Sequence, residues 1–279
     1  MTARGLGVNA ARGAVLAVIT LWTLFPIYYI VSLAVTPWTD LFRPVYWVAH
    51  PTLDNFKFVI FQESPFVKFF WRWLANSLWV SAATMGAVLV VAAMGSFALG
   101  RIRFGLARWV SGITLFTYII PASFLSIPFF KIMGDYDLLD TYWALIFAMT
   151  TFAAPYALWV LWDYAKTIPN EIDESAAIDG AGPIAIFFRM YLPMASSALI
   201  AIFILQATFI WNDLLLGLTL SQSDSVRPIV TTLAGMQSTY GGAQISTVLA
   251  AAVLVSLPTV ILFLFTQKFF ARGLALGQY

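Results

Sequence analysis

The 279-residue sequence has no cysteine and a single histidine, His50. The first absence excludes a disulfide framework and a thiolate metal site, and the second leaves no histidine cluster for a metal or a catalytic relay. Charge is equally scarce: Lys, Arg, Asp and Glu make up 10% of the chain, against about 25% in an ordinary soluble domain. So little polarity cannot cover a compact globule in water. With a formal net charge of +2 there is also no basic excess to hold a nucleic acid.

What fills the chain instead is apolar. Hydrophobic residues reach 61% and the mean hydropathy is +0.85. The solvent that suits such a chain is lipid. Eleven Trp, 11 Tyr and 24 Phe are enough for aromatic belts at two membrane surfaces. A helix crossing a bilayer needs roughly 20 mostly apolar residues, because each adds about 1.5 Å to a path of about 30 Å. Charge-free windows of that length predict six transmembrane helices, near 13–36, 73–99, 109–130, 141–162, 194–217 and 245–267. The first run is longer than the apolar core of a signal peptide, so an uncleaved first span is expected. The fold class is therefore all-α integral membrane.

An even number of spans puts both termini on one side. That side holds nine basic residues, Arg4, Arg12, Arg101, Arg103, Arg108, Lys166, Arg189, Lys268 and Arg272. The other holds six, Arg43, Lys57, Lys68, Arg72, Lys131 and Arg227. The positive-inside rule then makes the termini cytoplasmic. This divides the chain into a cytoplasmic N-terminus, 1–12, and a transmembrane domain, 13–279, with outer loops at 37–72 and 218–245 and a cytoplasmic segment at 165–193. His50 falls in the first outer loop and reads as an ordinary loop residue.

The cytoplasmic segment carries the most information. It runs IPNEIDESAAIDGAGPIAIFFRMYLP from Ile168 to Pro193 and predicts two short helices joined at a glycine corner. Asn170 is placed to cap the first, with Glu171, Asp173 and Glu174 in the turn where carboxylates suit the positive end of the helix dipole. Ile172, Ala176 and Asp179 fall near one face. Gly180 stands where a left-handed residue ends a helix, and Gly182-Pro183 restarts one. Pro193 predicts a kink. By geometry alone this could be no more than a folded turn between two spans.

The motif ESAAIDGAG, closed after a spacer by Leu192-Pro193, resembles the EAA signature of permease subunits in binding-protein-dependent ABC importers. Glu174, Ala176, Asp179, Gly180, Ala181, Gly182, Leu192 and Pro193 match that pattern, and Ser175 replaces one small residue by another. The rest of the chain is similar to the carbohydrate-uptake branch, particularly the shorter, six-span permease of maltose-type transporters. The resemblance rests on Asn76-Ser77, Arg101-Ile102-Arg103-Phe104, Ile120-Pro121, Trp211-Asn212-Asp213-Leu214, Gln267-Lys268-Phe269-Phe270 and Arg272-Gly273-Leu274. The tail from Ala275 to Tyr279 departs from the basic, Gly-rich ending of that branch.

The resemblance implies a type I ABC importer permease fold, with no chemistry catalysed by this chain. It implies three kinds of partner besides the lipid bilayer: a second, different permease subunit, two cytoplasmic ABC ATPases and a soluble extracytoplasmic substrate-binding protein. Glu171, Glu174, Ala176, Ala177, Asp179, Gly180, Ala181 and Gly182 would then belong to a coupling helix seated on the ATPase. No GxxxxGK[ST] loop occurs in the sequence, so ATP and Mg would be used by the partner and no cofactor by this chain. Tyr240, Gly241 and Gly242 would be the tip that meets the binding protein.

Polar residues within spans are candidates for the solute path: Asn76, Gln206 and Asn212 first, with Ser77, Ser81, Thr208 and Asp213 beside them. Hydrogen bonding between helices is the competing role for each. Gly86, Ala87, Gly95, Ser96 and Ala98 read as positions of close helix packing. The spans offer no carboxylate pair, Ser/Lys or Ser/His arrangement for a membrane enzyme, and no deep carboxylate for an ion-coupled carrier. Within the importer class the solute stays open between a sugar and another small molecule, such as glycerol phosphate, a polyol or a peptide. No Arg or Lys lies mid-span to favour a phosphate.

Overall fold

The computed structural model describes residues 3–41, 47–101, 107–117, 120–239 and 245–276, and all regular structure among them is helical. The long elements are α1 (Ala3–Ala34), α3 (Phe70–Arg101), α6 (Tyr142–Ala165), α10 (Ser196–Trp211) and α13 (Ile245–Leu276). Shorter helices connect them: α2 (Asp54–Ile60), α4 (Ala107–Phe116), α5 (Ala122–Asp135), α7 (Glu171–Ile178), α8 (Pro183–Ile186), α9 (Leu192–Met194), α11 (Leu215–Leu220) and α12 (Ile229–Thr239).

Four stretches are long and apolar enough to cross a membrane: Arg12–Ala34, Pro65–Arg101, Tyr142–Ala165 and Ile245–Gln267. Pro183–Met194 and Ser196–Trp211 make a fifth as a pair bent by 70°. Pro193 explains the bend. It cannot donate to the carbonyl four residues back, and its ring crowds that carbonyl, so the preceding turn widens into a π-helix over Phe187–Tyr191.

The expected span at 109–130 is two helices, α4 and α5, rather than one. Pro121 caps α5 with φ −59° and ψ 135°, outside helical backbone, and a residue preceding proline is itself pushed from the helical region. The expected loop at 218–245 also has regular structure, since it contains half of α11 and all of α12. Both are short, and 3.6-residue periodicity is weak evidence over so few turns.

The chain forms two compact units. In the first, residues 1–70 with 233–256, the side chain of Asn55 in α2 donates to the carbonyls of Ala34 and Thr36 at 2.9 and 3.0 Å. It thereby caps the end of α1. The apolar window of α1 is nowhere buried within the chain, as befits a helix clothed by lipid or another subunit.

The second unit, residues 71–232 with 257–279, holds the main core. Val80, Val88 and Ala92 of α3, Ala144, Ala148, Ala157 and Leu161 of α6, and Ile202 and Ile210 of α10 are buried together. Small residues allow close approach. A Cβ on Gly95 would lie 2.7 Å from Leu158 Cδ1, and one on Gly100 would lie 3.2 Å from Ala165 Cβ. Ser96 shares a 2.8 Å hydrogen bond with the buried Tyr191. Gly86 does not belong with these packing positions: nothing lies within 4 Å of its Cβ direction, and it lines a cavity instead.

Candidate functional site

The Ile168–Pro193 segment forms the two helices that its sequence predicts. Helix α7 ends in a Schellman motif: Gly180 N–H donates to Ala177 O at 3.0 Å and Ala181 N–H to Ala176 O at 2.9 Å. The motif needs left-handed backbone at its corner, and Gly180 supplies it with φ +86°. Gly182 then caps α8 with Pro183 in its first turn.

Two expectations about this segment are corrected. Asn170 precedes α7 without a side-chain capping bond; its Oδ1 instead accepts a short hydrogen bond from Arg101 Nη1 at the end of α3. Ala176 is only 7% exposed and packs into the chain's own core beside Ile172 and Ala181, so it does not face a partner. The face turned outward carries Glu171, Glu174, Ala177 and Asp179, and above all Ile178, 87% exposed. Ile184 and Phe188 continue this exposed apolar surface past the corner. Phe188 is expected from the sequence to lead toward the membrane, whereas Ile178 has no assigned role there, although an isoleucine on the outward face of a short polar helix is a usable signal.

Arg101 also reaches Asp173, with Nε 3.1 Å from Oδ2, and its side chain is only 4% exposed. The guanidinium thus ties the end of α3 to the first turn of α7.

At the opposite end of α3, the structure brings together a second polar cluster. Asn76, 4% exposed, donates from Nδ2 to the carbonyls of Ser225 and Arg227, both at 3.1 Å, and accepts from Tyr142 Oη at 2.8 Å. Both of its polar atoms are engaged by the chain itself, which buckles α3 to the Ser221–Pro228 loop. Nearby, Trp73 Nε1 donates to Asp224 at 3.1 Å and Ser77 Oγ accepts from Ile229 N–H at 2.9 Å.

Asp140 completes this cluster. Its backbone N–H donates to Leu220 O at 3.0 Å, and its Oδ1 accepts from the backbone of Gln222 and Ser223 at 2.8 and 2.9 Å. Burial opposes its ionisation, but the hydrogen bonds from Ser223 and Gln222 and the charge of Arg227 outweigh it and hold the carboxyl below the ordinary value. Its φ of +57° is strained for a non-glycine residue and is maintained by these bonds.

The other path candidates are dispersed. Gln206 is 3% exposed, and its Oε1 has no hydrogen-bond partner among the described residues. Asn212 is exposed and ends α10 by donating to Thr208 O at 2.8 Å. Asp213 accepts from the Leu216 and Gly217 amides and so opens α11. A cavity of about 390 Å³ lies between α3, α10 and Pro258–Leu262 of α13. Ser81, Thr208, Trp211 and Thr259 give its otherwise apolar wall four polar groups. Tyr240, Gly241 and Gly242 lie outside the described residues, as do Ile102, Arg103 and Phe104.

Comparisons with known proteins fit this arrangement. The chain is 31% identical to the arabinooligosaccharides transport system permease protein AraQ of Halalkalibacterium halodurans over 94% of its length and 92% of the relative's. It is 32% identical to the inner membrane ABC transporter permease protein YcjP of Escherichia coli, over 84% and 81% of the two chains. Its fold matches a chain of a bacterial ABC transporter involved in the import of the acidic polysaccharide alginate. That match has a TM-score of 0.79 and 23% identity, and covers 97% of this chain and 99% of the other. The family model for the binding-protein-dependent transport system inner membrane component spans residues 91–275, which include α7, its glycine corner and the bent helix pair. An all-helical membrane chain with that segment and those relatives belongs to this family of inner-membrane permeases.

Proposed function

We propose that this chain is the permease subunit of an ATP-driven importer carrying an oligosaccharide or related carbohydrate, coupled to separate ATPase subunits through the Glu171–Gly182 segment. The observation that carries the coupling role is the outward face of α7. Ile178 stands exposed on a short, rigid helix whose inner face is locked to α3 and the core. With Ile184 and Phe188 also exposed beyond the glycine corner, three large apolar side chains of this one segment are uncovered, which suits a groove in a partner subunit.

The carbohydrate assignment is supported by relatives named for arabinooligosaccharides, trehalose, diacetylchitobiose and galactooligosaccharides. A largely apolar cavity with three hydroxyls and an indole, and without a charge, suits a neutral polyhydroxyl solute better than a phosphate. In this reading ATP and Mg belong to two cytoplasmic ATPase subunits. A second permease chain completes the path, and a soluble binding protein delivers the sugar to the side holding Ser221–Pro228, with Tyr240, Gly241 and Gly242 as the tip that meets it. Both termini and α7 are cytoplasmic.

The complex purified through a tag on this chain tests the proposal. An ABC ATPase should co-purify, and the co-purifying binding protein should release a sugar on denaturation. A phosphorylated or peptidic ligand would overturn the carbohydrate assignment while leaving the importer intact. Because the chain has no cysteine, single thiols can test the orientation. A thiol from Asn9→Cys labelled in intact cells by an impermeant reagent would reverse it.

A further inference from the structure

Helix α3 is anchored by polar bonds at both ends and is continuous between them. At one end Trp73, Asn76 and Ser77 hold the Ser221–Pro228 loop and the first residue of α12. At the other, Arg101 holds Asp173 and Asn170 beside α7. Asn76 and Arg101 are 25 residues apart, roughly 38 Å along a helix. The intervening residues Val80, Thr84, Val88, Ala92 and Ser96, each four apart, are all buried.

What separates α3 from the other long spans is the lack of an interior proline. Helices α1, α6 and α13 carry Pro26, Pro155 and Pro258 in their interiors, and the α8–α10 pair is bent at Pro193. Helix α3 has no proline in its 32 residues. Proline removes a backbone hydrogen bond and introduces a hinge, so a displacement applied to those helices can be absorbed within them. One applied to α3 is passed on. The Arg101 anchor is also hard to slip. Its side chain is buried, Nε meets Asp173 as an ion pair, and Nη2 has no hydrogen-bond partner among the described residues, so parting from Asp173 would strand a buried charge.

We infer that α3 is a transmission rod, with Arg101 and Asn76 as its positioning residues, that carries displacement of the coupling segment to the Ser221–Pro228 loop. Nucleotide state at the ATPase is thereby read out at the face where the binding protein docks. The inference rests on the proposed importer function, which puts α7 and this loop on opposite sides of the membrane.

The test uses the complex purified from native membranes through this chain, with Ser225→Cys as its sole thiol. Ser225 is exposed and its carbonyl accepts from Asn76. The rate of maleimide labelling on this chain is compared with and without vanadate-trapped MgATP. Trapping should change that rate several-fold. Arg101→Gln and Asn76→Ala should each erase the change while the ATPase still co-purifies, and the double variant should behave like either single one. If Arg101→Gln does not accumulate, Arg101→Lys serves, since a lysine cannot span both acceptors with a fixed fork. A parent rate indifferent to trapping, or a change that survives the Arg101 variant, overturns the rod. Absence of an ATPase from the parent complex is a different failure: it removes the importer reading and the rod with it.

Discussion

Tyr142 donates its phenolic hydrogen to Asn76 Oδ1 at 2.8 Å, while the same asparagine grips two carbonyls of the Ser221–Pro228 loop. Two spans and a connecting loop therefore meet at one amide. Asn76→Ala should leave the Arg227 carbonyl without its amide donor, at a cost of about 1–3 kcal/mol, while Tyr142 Oη, 3.0 Å from Ser225 O, can still donate to the Ser225 carbonyl. The expected outcome is a lower unfolding temperature in detergent and faster proteolysis within 221–228, with unchanged solute preference in whatever transport remains. A changed preference at unchanged stability would return Asn76 to the solute path.

Gly180 and Gly182 stand two residues apart, and neither has an atom within 4 Å of its Cβ direction, yet they should respond differently. Gly180 sits at φ +86°, where a side chain strains the backbone by about 1–2 kcal/mol whatever the free space. Gly182, at φ −75°, is in ordinary territory. Gly180→Val should insert in the membrane but lose ATPase association and uptake, whereas Gly182→Ala should retain both. Gly180→Asn should fall between, because asparagine tolerates the left-handed region better. Equal effects from Gly180→Val and Gly182→Ala would refute a conformational cause.

Asp140 makes the loop clasp pH-dependent, and the sign follows from its lowered carboxyl value. The folded form favours the ionised state, so its stabilisation is complete above the ordinary carboxylate range and is lost as pH falls through the lowered value. Hydrogen exchange at the Gln222 and Ser223 amides should accelerate in that acidic window, relative to the intrinsic rate. In Asp140→Asn the amides should exchange faster at neutral pH and lose the acid-dependent step. An unchanged acid step in that variant would assign the transition to another group.

Much of the architecture was legible because its signals are local or periodic. The charge-free windows found the four long spans and the bent fifth, and Gly180, Pro183 and Pro193 marked the corner, the restart and the bend. The split at Pro121 was passed over although the proline was in view, since hydropathy sums over a window and does not register a broken backbone. Helix α5 ends at Asp135 and the chain turns at Asp137 with φ +53°, its Schellman bonds made without a glycine to announce them. Contacts across long sequence separations were beyond reach. Nothing near Asn76 points to Ser225 or Arg227, and nothing near Arg101 points to Asp173. Ala176 was misplaced for a related reason, because an eight-residue helix shows two small faces and only packing decides which turns inward.

Ile178 offers the most direct measurement of the central claim, that this permease meets an ATPase through α7. A photo-crosslinking residue replacing Ile178, activated in native membranes, should capture an ABC ATPase subunit. The same group replacing Ala176, which is buried in this chain, should capture none. Crosslinks from position 178 to lipid, to an extracytoplasmic protein, or only within this chain would contradict the account.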